Sequence, residues 1–139
     1  MTRNGMVFIV DDDLSVRRSL RRLVISAGYD VQVFSSAEEV LAVTDWPAPC
    51  CLIVDVSMPG MTGLDLVDAL RAASRNARVI LSSGYGDAAT LARARQSEVF
   101  AFLPKPFRAQ ELLPLLARMC EPAGVPGASS PQLSPSDPA

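Results

Sequence analysis

Two kinds of hydrophobic spacing alternate along the chain. Met6 to Val10 and Cys50 to Val54 are unbroken apolar runs of five residues, the mark of strands buried on both faces. Tyr29 to Phe34 alternates in polarity, and Arg78 to Leu81 and Val99 to Leu103 are further short strand candidates. Between them the period lengthens to that of a helix. Val16, Leu20, Leu23, Val24 and Ala27 share one helical face, and Gly28 is placed to end that helix. Ser36-Ala37-Glu38-Glu39 reads as a capping box opening a short second helix, before Pro47 and Pro49 close the region. Leu64, Leu66, Val67 and Leu70 give a third helix over 63–73. Asp87 is a candidate cap for a fourth over about 88–97, and a last helix covers about 108–120.

Five strand–helix units predict an α/β fold: a doubly wound parallel sheet with helices on both faces and right-handed crossovers. The most apolar strands, the first and third, belong at the centre. That suits a flavodoxin-like (βα)5 domain with strand order 2-1-3-4-5 and a switch point between strands one and three. Pro114 falls inside the last helix, where it removes a hydrogen bond and crowds the preceding turn, so a kink or a late helix start is expected. The folded domain is expected over residues 1–121. Prolines at 122, 126, 131, 135 and 138 among Ser, Ala and Gly make 122–139 a disordered tail or linker.

Composition narrows the chemistry. The 139 residues suffice for one domain, and a formal charge of −2 provides no field to attract nucleic acid or an anionic membrane. The apolar runs are too short to span a bilayer, and Met1 to Gly5 lead straight into a strand, so a cytoplasmic protein is expected. There is no histidine, which excludes His-based acid–base catalysis and His metal sites, and means that this chain cannot be the histidine side of a phosphorelay. Cys50, Cys51 and Cys120 form no Cys-x-x-Cys pair and read as small core hydrophobes.

The polar residues that follow the strands converge. Strand one ends in Asp11, Asp12 and Asp13, strand three in Asp55, strand four in Ser83 and strand five in Lys105. In the expected order these ends lie along one crevice, where open α/β sheets place their chemistry. Clustered carboxylates either raise one another's pKa or hold a cation, and oxygen ligands without His or Cys favour Mg²⁺ or Mn²⁺. The two charges of Mg²⁺ and the one of Lys105 balance the three of Asp11, Asp12 and Asp55. Asp55 is the natural nucleophile for a phosphoryl group, with the metal and Lys105 neutralising its oxygens. Phosphorylation raises the negative charge at Asp55 to about −2 and calls for further donors. Ser83 is the mobile hydroxyl, Gly84 gives it room, and Phe102 can turn into the space its loop vacates.

This layout resembles the receiver domain of bacterial two-component response regulators. The resemblance rests on Val10-Asp11-Asp12-Asp13, on Val54-Asp55-Val56-Ser57-Met58-Pro59-Gly60-Met61-Thr62-Gly63, on Ser83-Gly84-Tyr85-Gly86-Asp87 and on Lys105-Pro106-Phe107, and covers about residues 6–120. The last two motifs are closest to receivers of the LuxR-type helix-turn-helix subfamily. The resemblance implies Mg²⁺ at Asp11 and Asp12, with Asp12 the more direct ligand, and at Asp55 and the backbone carbonyl of Ser57. It implies that Asp55 is the phospho-acceptor, Ser83 and Phe102 the switch pair, Lys105 the family's lysine and Lys105–Pro106 a cis peptide. A sensor histidine kinase or His-phosphotransfer protein is the implied donor. A downstream protein is the implied target, through the face of the fourth helix, fifth strand and last helix, with dimerisation on phosphorylation. Such a domain catalyses only its own phosphorylation and dephosphorylation. The alternatives are an unphosphorylated interaction scaffold, or the receiver half of a DNA-binding regulator, this domain itself binding no nucleic acid.

Other residues have plainer readings. Asp13 is a helix N-terminal acid and Tyr85 a loop tyrosine or a gate to water. Met58 and Met61 fill the loop's packing. Arg17, Arg18, Arg21 and Arg22 are a solvated helix face, or else a surface for the kinase.

Overall fold

The computed structural model describes residues 5–44, 50–73, 77–84, 92–93, 96 and 99–120. Its elements run β1 (Met6–Val10), α1 (Leu14–Ser26), β2 (Asp30–Phe34), α2 (Ala37–Leu41), β3 (Cys50–Asp55), α3 (Gly63–Ala72), β4 (Ala77–Ser83), β5 (Ala101–Pro104) and α4 (Ala109–Met119). The strands form one parallel sheet in the order β2-β1-β3-β4-β5, as expected.

Alternation along the strands divides the core into two layers. Phe8, Val10, Leu52, Val54, Val79 and Leu81 pack with α2 and α3, while Val7, Ile9, Cys51, Ile53, Ile80 and Leu103 pack with α1 and α4. Each fully buried large side chain contributes about 1.5–3 kcal/mol. Together they far outweigh the few kcal/mol that a buried carboxylate at a strand end costs. Phe8 and Phe34 add an edge-to-face contact with ring centroids 5.0 Å apart. Cys51 and Cys120 are buried in the α1–α4 layer, as core hydrophobes should be.

The boundaries follow local chemistry. Asp13 caps α1 by accepting from the amides of Ser15 (2.8 Å) and Val16 (3.3 Å), so it is a capping acid. Gly28 ends the helix with φ of 100°, a conformation that favours glycine. Ser36 caps α2 as expected, and only the return half of the box lies one residue earlier. Ser36 Oγ accepts from the Glu39 amide, but the Glu39 carboxylate accepts from the amide and hydroxyl of Ser35 rather than from Ser36. β2 begins at Asp30 because Tyr29 is buried in the turn and Asp30 is the first residue in register with β1. β4 is longer than predicted, extending to Ala77 and Ser83. β5 is later, pairing from Ala101, because Val99 packs on the core and Phe100, 40% exposed, only leads into the strand.

α4 runs unbroken through Pro114, so the late start is not seen. The ring sits on the exposed side of the helix, where the carbonyl of Gln110 that lacks its partner can turn to water. Of the helix expected over 88–97, residues 92, 93 and 96 are described and are helical; its Asp87 cap, Tyr85, Pro47, Pro49 and the tail over 122–139 lie outside the described residues. Among the described residues no helix is long and apolar enough to cross a membrane.

Candidate functional site

β1 and β3 are neighbours, so Asp11 just after β1 and Asp55 at the end of β3 come together. Both are buried, at 2% and 7% exposure, because the apolar runs that carry them extend to the last residue. Asp12 follows on the exposed side, and one oxygen from each of Asp11, Asp12 and Asp55 lies within 4.8 Å of the others. Lys105 reaches in from the far end of the sheet. Its Nζ donates to Asp11 Oδ2 at 2.9 Å and lies 3.6 Å from Asp55 Oδ1.

Backbone bonds fix the frame around these side chains. The Asp13 amide donates to Asp11 Oδ1 at 2.9 Å, and Arg17 Nη1 donates to the Asp11 carbonyl at 2.7 Å. Arg17 therefore belongs partly to the site, unlike the exposed Arg18, Arg21 and Arg22. The Ser57 amide donates to Asp55 Oδ1 at 3.3 Å. Val56 N donates to the Ser82 carbonyl at 2.8 Å and Lys105 N to the Ser83 carbonyl at 2.7 Å, which ties the ends of β3, β4 and β5 together. Lys105–Pro106 is cis.

The loop after β3 forms the floor. Met58 is buried and Met61 packs against the core. Gly63 starts α3 directly against the backbone of Asp55, and a Cβ there would lie 3.0 Å from Val56 Cα. Thr62 caps α3 in a true capping box: its hydroxyl accepts from the Asp65 amide and the Asp65 carboxylate accepts from the Thr62 amide, each at 3.1 Å. The Thr-x-x-Asp spacing of Thr62 and Asp65 is the sequence signal for this helix start.

One lysine does not balance three carboxylates. Burial first, then the charge of Asp11, pushes the Asp55 carboxyl up to about 6, although Lys105 pulls the other way. Burial works against the Lys105 ammonium, but its hydrogen bond to Asp11 and the charges of Asp55 and Asp11 outweigh it and raise its pKa. The donor set is all oxygen, crowded, negatively charged and open to solvent on the Asp12 side. That fits a hard divalent cation that keeps some of its water.

Ser83 is 2% exposed, and its hydroxyl has no hydrogen-bond partner among the described residues. It points to the α2–α3 layer with Leu81, and Phe102, paired with Leu81 in register, packs against that same layer. The structure thus gathers Asp11, Asp12, Asp55 and Lys105, while Ser83 and Phe102 are turned toward the α2–α3 layer. Ser82 also has a buried hydroxyl without a partner among the described residues, and nothing in the sequence pattern singled it out.

Residues 7–117 match the Response regulator receiver domain family. Nodulation protein W of Bradyrhizobium diazoefficiens is 42% identical over 109 residues, covering 78% of this chain and 48% of that protein. Response regulator protein TodT of Pseudomonas putida is 36% identical over 132 residues, covering 95% of this chain and 58% of that protein. The crystal structure of FixJ-N superposes with a TM-score of 0.74 at 30% identity, over 85% of this chain and 94% of that one. The chain spans about half the length of the curated relatives it matches.

Proposed function

Because this chain belongs to the response regulator receiver domain family, a signalling domain of two-component systems, we propose that Asp55 is its phospho-acceptor. The observation that carries this reading is a buried carboxylate at a central strand end, 3.6 Å from a lysine and crowded by two further acids. We place Mg²⁺, or Mn²⁺, on Asp11, Asp12, Asp55 and the backbone carbonyl of Ser57. When bound, it supplies the positive charge that the phosphoryl oxygens need.

The donor is a phosphohistidine of a sensor histidine kinase or a His-phosphotransfer protein. Asp55 attacks its phosphorus; the P–O bond forms as the P–N bond breaks, and the electron pair returns to the imidazole, which takes a proton. Lys105 neutralises charge on the transferred group. Ser83, with its unpartnered hydroxyl, donates to a phosphoryl oxygen, and Phe102 follows it inward. The same site hydrolyses its own acyl phosphate. Output leaves through β5, α4 and the chain between β4 and β5, toward a downstream protein or a second phosphorylated copy, in the cytoplasm. A transcriptional output is the second reading, favoured by likeness to FixJ, a transcriptional regulatory protein.

Intact mass after incubation with acetyl phosphate and Mg²⁺ tests the proposal. One added phosphoryl group is expected, absent in Asp55→Asn. No gain, or a gain that survives Asp55→Asn, sinks it in favour of an unphosphorylated scaffold.

A further inference from the structure

Ser82 precedes the switch serine, is 2% exposed and has a hydroxyl with no hydrogen-bond partner among the described residues. An unpartnered buried hydroxyl is costly, so its presence here calls for a partner in another state. Register gives its position. Ser82 pairs laterally with Asp55 on one side and with Leu103 on the other. Ile9, Ile53, Ile80 and Leu103 all pack in the α1–α4 layer. Two residues further along their strands, Asp11, Asp55 and Ser82 lie on that same face. Ser83 faces the opposite layer.

Lys105 follows β5, yet its Nζ lies 2.9 Å from Asp11, after β1, and 3.6 Å from Asp55, at the end of β3. β4 stands between β5 and β3. The lysine side chain therefore crosses the end of β4, where Ser82 is the residue on its side at the level of Asp55.

We propose that Ser82 is a positioning residue for Lys105: its hydroxyl oxygen accepts a hydrogen bond from the ammonium once Asp55 is phosphorylated, holding the cation on the phosphoryl oxygens. The proposal rests on the phospho-acceptor reading. An ammonium has three N–H donors, and Asp11 and Asp55 engage at most two. In the present state Nζ is drawn to Asp11, away from β4. A cation on Asp11 and added negative charge at Asp55 both shift Nζ from β1 toward β3, which is the direction of Ser82. A serine also leaves room for the lysine stem.

Ser82→Thr and Ser82→Val have the same shape and differ by the hydroxyl. Phosphoryl gain from acetyl phosphate with Mg²⁺ is expected to stay within about twofold of wild type in Ser82→Thr and to slow about tenfold in Ser82→Val, the scale of one hydrogen bond to a charged group. Beryllofluoride with Mg²⁺, a phosphoryl mimic read by its thermal stabilisation of the fold, should need an about tenfold higher concentration in Ser82→Val. Without either ligand, Ser82→Val is expected to melt no lower than Ser82→Thr, because it removes the unpartnered hydroxyl. A merely structural role for the hydroxyl would lower the melting point of Ser82→Val instead, and that result overturns the proposal. Equal rates and equal beryllofluoride responses in the two variants also overturn it, while phosphorylation lost only in Asp55→Asn leaves the acceptor reading standing. A wild-type chain that gains no phosphoryl group overturns the acceptor reading and this proposal with it.

Discussion

Asp55 is held where its own charge is unfavourable. Its pKa is raised from 3.8 to about 6, so the folded chain binds this proton more tightly than the unfolded chain does. Stability from this group is therefore present below about pH 4 and lost as pH rises through about 6. In metal-free buffer Asp55→Asn is expected to be more stable than wild type at pH 7 to 8, by on the order of 2–3 kcal/mol, with the gain vanishing toward pH 4. Urea unfolding of both proteins across that range checks it; a pH-independent difference would place the cause elsewhere. Asp55, Asp11 and Lys105 were legible in the sequence because each follows a short apolar run, where a charged residue is conspicuous. Ser82 was not, since two adjacent serines look alike until register assigns them to opposite faces.

Among the elements, α3 carries the floor of the site and depends on its cap. Thr62→Ala removes the hydroxyl that satisfies the Asp65 amide and is expected to cost about 1 kcal/mol, measured as a lower urea midpoint. Gly63→Ala should be worse, because its Cβ meets the rigid backbone of Asp55 and Val56 rather than a side chain. In α4 the opposite holds. Pro114→Ala restores a bond to the Gln110 carbonyl on an exposed face and is expected to stabilise the fold by about 1–2 kcal/mol. Element types followed from periodicity, but boundaries did not. β5 starts two residues later than its apolar run because apolarity records packing, not pairing, and the partly buried Val99 packs on the core without pairing. The Ser36 cap of α2 was legible, but the return bond was not, since Ser35 and Ser36 offer the Glu39 carboxylate the same chemistry and only backbone direction chooses between them.

At the scale of the whole molecule, two apolar layers hold a crevice with surplus negative charge. Mg²⁺ should therefore stabilise the fold, by about 2.7 kcal/mol when present at a hundred times its dissociation constant. A thermal melt titrated with Mg²⁺ is expected to rise in wild type and stay nearly flat in Asp12→Asn. Strand order was legible because the two most apolar runs had to be central, and the crevice followed from that order. The reach of one side chain across it was not, since sequence does not record which way a lysine leans. Lys105 is anchored after β5, the edge strand with only four residues in register, and its ammonium ends beside β1. It acts as a tie-rod across three strands, tensioned by Asp11. A cation that takes Asp11 slackens the rod, so the edge of the sheet should breathe more freely, with faster amide hydrogen exchange in Phe102 and Leu103. Occupancy of the crevice would then be readable at the rim as a change in motion before any change in shape.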